Sequence, residues 1–260
     1  MTNNINLNIC ASIQARMGST RFPGKVMKEI FGKPMLLRQI ERLKECKTLN
    51  KIIIATTEKP EDDEIVEMCL NNSISFFRGS ENNVIDRVAN LLQEFQVDVH
   101  VECVGDSPLI DPLIVDEYVK LFCRRENNFD YLSNCLSTSY PPGLDVIVYN
   151  SETLTQLNNE LPKDDPLREH VGYNITRFPE KYKIKSLTAP DAFNDPEFYL
   201  EVDTEEDFEL IKKIYSHFYN KGKEKFYLAD IMELLEEQPH LREINNKTLR
   251  KWKVLRGEED

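Results

Sequence analysis

A glycine-rich and basic stretch, residues 14–25, follows the first apolar run of the chain. Its glycines are Gly18 and Gly24, and its cations are Arg16, Arg21 and Lys25. Glycines let backbone N–H groups approach an anion closely, while guanidinium and ammonium groups neutralise its charge. The spacing fits neither the Walker loop nor the dinucleotide fingerprint. The stretch therefore predicts a triphosphate-binding loop, and the competing interpretation is an ordinary solvated basic loop.

Four further segments resemble, together with residues 14–25, the motifs of one enzyme family. They are GDSPLID at 105–111, PGLDV at 142–146, REHV at 168–171 and VDTEED at 202–207. The basic stretch itself resembles the R-x-G-S-x-R-x-P-G-K signature of the cytidylyltransferases that make CMP-activated sugars, closest to the spore coat polysaccharide protein SpsF group. That group is similar to the 3-deoxy-manno-octulosonate and acylneuraminate cytidylyltransferases. Five motifs in one order, within residues 7 to 215, are far more specific than one loop.

Nucleotidyl transfer requires neutralisation of the triphosphate and, as a rule, magnesium held by one or two carboxylates. Asp106 and Asp203 each follow an apolar segment; by residue type alone they suit an Asx turn and a helix cap. The resemblance implies instead that both bind magnesium. Lys25, with Arg16 and Arg21, is expected on the phosphates, where one transition-state contact is worth ~3 kcal/mol. A salt bridge is the alternative for Arg21.

The remaining site residues are implied by the resemblance. The expected nucleotide-binding residues are Gln14, Ala15, Gly18, Ser19, Arg78, Gly79, Ser80 and Arg87. The expected contacts of the acceptor are Asp145, Arg168 and His170. Arg87 would equally suit an ion pair on a helix face, and His170 a helix surface. One departure is Glu201, a charged residue where the family more often has an uncharged one.

Apolar runs alternate with helical patterns over the first half of the chain. Strands are predicted at 6–13, 51–57, 74–78, 98–104 and 129–133, and helices at 34–46, 60–71, 83–96 and 112–125. Such alternation predicts βαβ units and a mostly parallel sheet with ligand loops at the carboxyl ends of its strands. The loops that follow the first and fourth strands would then share one edge. The resemblance implies a Rossmann-like three-layer α/β sandwich of the nucleotide-diphospho-sugar transferase type.

The second half is less regular. Residues 138–200 are predicted to bind the acceptor, and the resemblance implies that they also form a dimer interface. A strand is predicted at 198–202. Helices follow at 204–220 and 228–237. We therefore divide the chain into a cytidylyltransferase domain, 1–220, and a C-terminal helical extension, 221–260, which ends in a charged tail from residue 250.

Composition narrows the class of protein. The net charge is −12 and the pI about 5.0, which argues against a duplex nucleic-acid surface. No apolar run approaches the length of a membrane span and the start lacks a basic signal sequence, so a cytoplasmic protein is expected. The six cysteines have no C-x-x-C spacing and are expected to be reduced core residues.

The sequence thus predicts a magnesium-dependent cytidylyltransferase that transfers CMP from CTP to an acidic sugar or related surface-glycan precursor. The product is the CMP-linked donor plus pyrophosphate, and the enzyme is expected to be a homodimer. Three alternatives stay open: a nucleotide-sugar glycosyltransferase, a sugar-phosphate nucleotidyltransferase and a catalytically silent nucleotide-binding protein. A glycosyltransferase would need a D-x-D-like motif, which Asp106-Ser-Pro lacks.

Overall fold

The fold is built on one seven-stranded sheet, and the computed structural model describes residues 7–124, 126–248, 250 and 253. The strands are β1 (Ile9–Gln14), β2 (Glu29–Ile30), β3 (Lys33–Pro34), β4 (Lys51–Thr57), β5 (Ser75–Gly79), β6 (Val99–Val104), β7 (Tyr131–Ser133), β8 (Ile147–Asn150) and β9 (Ile184–Ser186). The large sheet has the order β5-β4-β1-β6-β8-β7-β9, and β2 pairs with β3 in a small hairpin. Within the sheet β8 runs against the other strands.

Helices cover both faces of this sheet. They are α1 (Met35–Leu43), α2 (Asp63–Asn71), α3 (Val84–Glu94), α4 (Pro112–Phe122), α5 (Ser151–Glu160), α6 (Tyr173–Thr176), α7 (Glu205–Asn220) and α8 (Leu228–Glu237). Short 3-10 turns lie at Lys25–Met27, Pro60–Asp62, Pro166–Glu169, Asp191–Phe193 and Pro239–Glu243. Several starts are set by local chemistry: Pro112 occupies the first turn of α4, and the Asp111 side chain caps it.

Two apolar clusters separate the layers. Successive side chains of a strand point to opposite faces, so in β4 Ile54 packs in one cluster while Ile53 and Ala55 pack in the other. Helices α1, α4, α7 and α8 pack in the first cluster, and α3 and α5 in the second. Both faces of the sheet are therefore buried, and the predicted three-layer α/β fold is confirmed.

The regular first half matches its prediction, and in the second half the helices predicted at 204–220 and 228–237 match α7 and α8. The five strands and four helices predicted up to residue 133 correspond to β1, β4, β5, β6 and β7 and to α1, α2, α3 and α4. The strand predicted at 198–202 is wrong, because its N–H groups bond to two loops instead of a neighbouring strand. Leu200 N donates to Pro142 O at 2.7 Å and Val202 N to Asp106 O at 2.8 Å. Strands β8 and β9 and helix α5 were not predicted.

Gly143 explains why the two chain segments approach so closely. Its φ is +100°, a conformation that favours glycine. A Cβ built on Gly143 would lie 2.4 Å from Glu201 N and 2.5 Å from Leu200 C. The glycine of the 142–146 motif is therefore required for packing against the segment that leads to Asp203.

The C-terminal helix shares a core with the preceding domain. The predicted division at residue 220 falls at the end of α7, yet Leu228, Ile231 and Leu235 of α8 lie in the same apolar cluster as Ile211 of α7. Residue 6 of the first predicted strand, residue 125 of the fourth predicted helix and most of the charged tail lie outside the described residues. Within the described ranges, no helix combines the length and the apolar character that a membrane crossing requires.

Candidate active site

A cleft of about 690 Å³ opens at the carboxyl ends of β1 and β6. The register of these strands places Gln14 beside Val104, so the loops that follow both strands begin at the same edge. Gly105 lets them touch: its N–H donates to Gln14 O at 2.9 Å, and a Cβ there would lie 3.0 Å from that oxygen. From the predicted set, the structure brings to this cleft Gln14, Ala15, Arg16, Gly18, Ser19, Arg21, Lys25, Arg87, Asp106, His170 and Asp203.

Lys25 is the centre of the cleft. Gly24, at φ +67°, begins the 3-10 turn that carries it, a left-handed conformation that suits glycine. The Lys25 ammonium donates to Asp203 Oδ1 at 3.1 Å, to Asp106 Oδ2 at 3.4 Å and to Val202 O at 2.6 Å. Burial would lower the pKa of Lys25, but Asp106 and Asp203 outweigh this and raise the pKa above its ordinary value. Lys25 therefore remains a cation at neutral pH.

Arg21 and Arg16 extend the positive charge along the loop. Arg21 forms an ion pair with Asp203 Oδ2 at 2.5 Å, and its other terminal nitrogen has no hydrogen-bond partner among the residues that the structure describes. The Arg16 side chain is 47% exposed and lies 3.4 Å from Glu81, which also pairs with Lys59 at 2.6 Å. The salt bridge weighed for Arg21 is thus present, and it joins Arg21 to the site.

Asp106 and Asp203 are not the helix-cap residues next to their loops. The N-cap of α7 is Thr204, and the neighbouring N-cap of α4 is Asp111. Both carboxylates converge instead on the Lys25 ammonium. Val202 links the two loops, because its N–H donates to Asp106 O while its carbonyl accepts from Lys25. The aspartates are therefore held at one point although they lie far apart in the sequence.

This carboxylate pair fits a magnesium ion in one particular way. Among the described residues no group of three or more His, Cys, Asp or Glu side chains is placed to hold a metal. Magnesium commonly binds one or two carboxylates and takes its other ligands from water and substrate phosphates. Asp106 and Asp203 beside a phosphate-binding loop match that ligand set.

Three buried acids that the sequence analysis did not single out position the site. Asp62 accepts a hydrogen bond from Met17 N at 2.7 Å and another from the Thr57 hydroxyl, which fixes the start of the basic loop. Glu102 accepts a hydrogen bond from the Gln14 side chain, and Asp207 accepts one from Asp203 N. For Glu102 a signal existed, since a carboxylate inside an apolar strand demands partners. Asp207 closes the VDTEED motif, although no role was assigned to it, and Asp62 has no comparable signal, because acids are common in the first turn of a helix.

Glu102 connects Gln14 to the irregular half of the chain. Gln14 Nε2 lies 3.2 Å from Glu102 Oε1, while Glu102 Oε2 accepts from the Tyr149 hydroxyl and from Gly172 N, both at 2.8 Å. Burial raises the pKa of Glu102, and these hydrogen bonds oppose the shift without reversing it. Gln14 is thereby held at the mouth of the cleft.

The segment at 78–80 lies beside the cleft and positions Arg87. Arg78 turns away from the cleft, since its guanidinium donates to Thr57 O and Lys59 O and pairs with Asp63. A Cβ on Gly79 would lie 2.8 Å from Arg87 Cγ, and Ser80 O accepts from Arg87 at 2.7 Å.

Arg87 itself lines the cleft and is buried. Burial lowers its pKa to about 10, with Arg16 contributing, and its Nε has no hydrogen-bond partner in the part of the chain that the structure describes. The helix-face ion pair considered for Arg87 is not among its described contacts, and its guanidinium remains a candidate for binding an anionic ligand.

The expected acceptor residues lie in three different environments. The His170 side chain is 46% exposed, lines the cleft and has Glu169 at 3.6 Å. Arg168 is only 5% exposed, and its guanidinium donates to Asn83 Oδ1, Leu161 O and the Asn158 side chain. Asp145 is half-buried and does not line the cleft. In this arrangement Arg168 joins the Pro166–Glu169 turn to α3 and α5, and it is not directed at a ligand.

His100 and three of the six cysteines lie in the core. His100 Nε2 is 2.7 Å from Ser12 Oγ inside the sheet, and burial lowers the pKa of His100 to about 3. Cys10, Cys69 and Cys103 are buried, and the other three cysteines are partly exposed. Burial raises the pKa of the Cys10 thiol to about 11 and that of Cys69 to about 12. His100 is therefore a buried residue of the sheet, away from the cleft.

The fold and the site together define a nucleotidyltransferase: a Rossmann-like sheet with a basic loop and two convergent aspartates at one edge. The profile of the family described as cytidylyltransferase matches residues 11–238. The chain belongs to this family, and it is a CTP-dependent nucleotidyltransferase, as the sequence analysis predicted.

Three similar proteins illustrate the relationship. The spore coat polysaccharide biosynthesis protein SpsF of Bacillus subtilis is 32% identical over 207 residues, 78% of this chain and 84% of that protein. The 3-deoxy-manno-octulosonate cytidylyltransferase of Geobacter metallireducens is 33% identical over 115 residues, 44% of each chain. The solved structure of a cytidylyltransferase from Leptospira borgpetersenii superposes with a TM-score of 0.85 and 32% identity, covering 94% of this chain and 99% of that one.

Proposed function

We propose that this chain transfers CMP from CTP to the hydroxyl group of an acidic sugar that is a precursor of a surface glycan, with release of pyrophosphate. The observation that carries the proposal is the convergence of Asp106 and Asp203 on the ammonium of Lys25 in the cleft. The relatives support the acceptor class: one is named for spore coat polysaccharide biosynthesis and another for 3-deoxy-manno-octulosonate, which is an acidic sugar.

In the proposed reaction the triphosphate binds along residues 14–25. Arg21, which lines the cleft, and the exposed guanidinium of Arg16 are placed to bind its phosphates. Lys25 contacts the α-phosphate and stabilises the charge that develops there. Because the pKa of Lys25 is raised, this residue acts as a fixed cation and not as the base that removes the acceptor proton.

Asp106 and Asp203 would hold a magnesium ion. When bound, that ion supplies neutralisation of the phosphate oxygens. The two carboxylates already lie close together, because both contact the Lys25 ammonium. The acceptor oxygen attacks the α-phosphorus in line with the leaving pyrophosphate, and His170, at the opposite wall, is the residue that orients or deprotonates it.

The acidic group of the acceptor requires a cation other than Arg168. The Arg168 donors are taken by protein acceptors, so a predicted contact with the sugar carboxylate would require the Pro166–Glu169 turn to rearrange. Arg87 lines the cleft and is the better candidate for that contact.

The proposal extends to a cytoplasmic homodimer formed through residues 138–200. Two large apolar side chains, Leu136 and Tyr173, are 37% and 53% exposed at and near this segment. Light scattering on the purified chain should give twice the mass of 30.4 kDa that the sequence specifies. A monomer across the micromolar range would remove the dimer from the proposal.

Pyrophosphate release from each of the four nucleoside triphosphates tests the proposed reaction. Each would be incubated with magnesium and a panel of sugar acids, sugar phosphates and polyol phosphates, with a chelator as the control. We expect release from CTP, with a sugar acid and with magnesium present. Release with a sugar phosphate would indicate a sugar-phosphate nucleotidyltransferase. Binding of CTP without release across the panel would contradict the proposal and support the silent binding protein.

A further inference from the structure

The Asp207 carboxylate holds the backbone of Asp203 in place through a hydrogen bond. Asp207 is fully buried, and its Oδ2 accepts from the backbone N–H groups of Asp203 and Thr204, each at 2.9 Å. It also forms a capping box with Thr204 at the start of α7. The position of the Asp203 backbone therefore depends on the position of the Asp207 carboxylate.

Asp207 is held in turn from the C-terminal end of the chain. We call residues 239–248, 250 and 253 the C-terminal strap. Asn245 Nδ2 donates to Asp207 Oδ1 at 2.7 Å and to Tyr199 O at 3.0 Å. The two terminal nitrogens of Arg250 donate to the two oxygens of Asp207, at 2.7 and 3.1 Å. This is the bidentate geometry that makes arginine–carboxylate pairs strong and directional.

Arg250 is placed as a structural cation inside the protein. It is 1% exposed, and its guanidinium carbon lies 4.1 Å from the centre of the Tyr199 ring. Its NH1 also lies 3.7 Å from Glu201 Oε1, so Glu201 and Asp207 share one cation. Glu201 is the departure from the commoner family pattern, and the structure provides its counter-charge.

The strap lies beyond the part of the chain that the family profile matches, which ends at residue 238. A chain of contacts nevertheless connects the strap to Lys25 in the cleft. Arg250 holds Asp207, Asp207 holds the Asp203 N–H, and the Asp203 carboxylate meets Lys25 at 3.1 Å. A second hydrogen bond, from Val202 N to Asp106 O, fixes the preceding peptide, and Val202 O, in the same peptide as the Asp203 N–H, accepts from Lys25.

We propose that Arg250 and Asn245, both in the C-terminal strap, are positioning residues that fix the Asp203 carboxylate for metal and nucleotide binding. The proposal rests on the magnesium role given to Asp203 in the proposed function. Residues that orient a metal ligand through hydrogen bonds affect metal affinity more than their distance suggests. The strap thus supplies a role for the C-terminal extension.

The test compares Arg250→Met and Asn245→Ala with Lys253→Met in the full chain. Lys253 is a matched control, since it belongs to the strap, lies 5.5 Å from the Tyr199 ring centre and pairs with Glu197 rather than Asp207. The affinity for Mn²⁺ in the presence of CTP, without acceptor, is measured by electron paramagnetic resonance. Amide hydrogen exchange over residues 199–207 is measured without metal. The magnesium concentration for half-maximal rate is compared with kcat at saturating magnesium.

We expect Arg250→Met to weaken Mn²⁺ binding roughly 10- to 100-fold and to speed exchange at the Asp203 and Thr204 amides. The magnesium requirement should rise more than kcat at saturating magnesium falls. Asn245→Ala should show a smaller change of the same kind, and Arg250→Lys should restore part of the affinity. Arg250→Met leaves two acids without their cation and can impair folding. If Arg250→Met is unfolded, the result for Asn245→Ala decides whether the strap positions Asp203.

Two results separate this inference from the proposed function. Folded Arg250→Met and Asn245→Ala variants with the Mn²⁺ affinity and amide exchange of Lys253→Met would overturn the strap's role while leaving the reaction intact. Absence of Mn²⁺ binding by the unaltered chain would overturn the magnesium assignment. In that event, unchanged exchange at the Asp203 and Thr204 amides in Asn245→Ala would overturn the strap inference as well, and faster exchange would support it.

Discussion

The basic loop at 14–25 and the irregular segment at 138–200 both contribute a wall of one cleft, yet they are built in different ways. The basic loop and Asp106 follow parallel strands whose register sets both loops at one edge of the sheet. Residues of the irregular segment are placed by long-range bonds, such as those from Arg168 to Asn83 and from Gly172 to Glu102. Sheet topology therefore places the basic loop and Asp106, whereas individual hydrogen bonds place the cleft residues of the irregular segment.

The largest effect is expected when Asp106 or Asp203 loses its carboxylate. Asp106→Asn and Asp203→Asn should each lower kcat by at least roughly 10³-fold, since each removes half of the proposed metal-binding pair. Circular dichroism and thermal unfolding should stay close to those of the unaltered chain. Asp63→Asn, which changes an exposed carboxylate outside the cleft, is the control. A folded Asp203→Asn variant with normal turnover would refute the metal assignment.

Removal of the central cation should have the next largest effect. Lys25→Met is expected to lower kcat about 10²- to 10³-fold, because a fixed charge at the α-phosphate acts mainly in the transition state. The KM for CTP should change less than kcat. Steady-state rates at several CTP concentrations separate the two effects. A large rise in KM with kcat unchanged would mean that Lys25 contributes uniform ground-state binding instead.

Arg168→Met distinguishes the acceptor wall from the phosphate wall. Its loss leaves several buried acceptors unpaired, among them Leu161 O and the Asn83 and Asn158 side chains. We expect the free energy of unfolding to fall by about 3 kcal/mol, as measured by urea denaturation. Unchanged stability together with a large rise in the KM for the acceptor would show that Arg168 contacts substrate, as the family resemblance implied.

The smallest expected effect concerns the Glu102 link between the two walls. Burial raises the pKa of Glu102 above its ordinary value of 4.5. A carboxyl group with a raised folded-state pKa contributes stability that is complete below pH 4.5 and is lost as the pH rises through the folded pKa. Glu102→Gln should therefore gain stability relative to the unaltered chain between pH 5 and 8. Parallel urea curves across that range would show that Glu102 does not titrate there.

The sequence predicted most of the first half of the fold because its signals are local and repeat. Apolar strands alternate with helices, and prolines such as Pro112 mark helix starts. Parallel strands then imply that Lys25 and Asp106 lie at one edge. The two carboxylates were implied by the resemblance, and the structure brings them to one point.

Helices α7 and α8 were also predicted, but the irregular part of the second half was not predictable because it depends on contacts between distant residues. The 198–202 segment is apolar enough for a strand, but its N–H groups pair with loops through the close approach at Gly143. Arg168 carries the same charge whether it binds a substrate or buried carbonyls, and only the positions of Asn83 and Leu161 distinguish the two. The link from Arg250 to Asp207 spans 43 residues without any periodic signal.

The most direct test of the account follows the two ends of CTP through one turnover. CTP labelled separately on the α- and γ-phosphates is incubated with the chain, magnesium and a sugar acid, with Lys25→Met as the parallel sample. The account predicts that the α-label appears in the sugar product and the γ-label in pyrophosphate, in equal amounts, with both greatly slowed in the variant. Appearance of the γ-label in the sugar, or equal rates for both proteins, would contradict it.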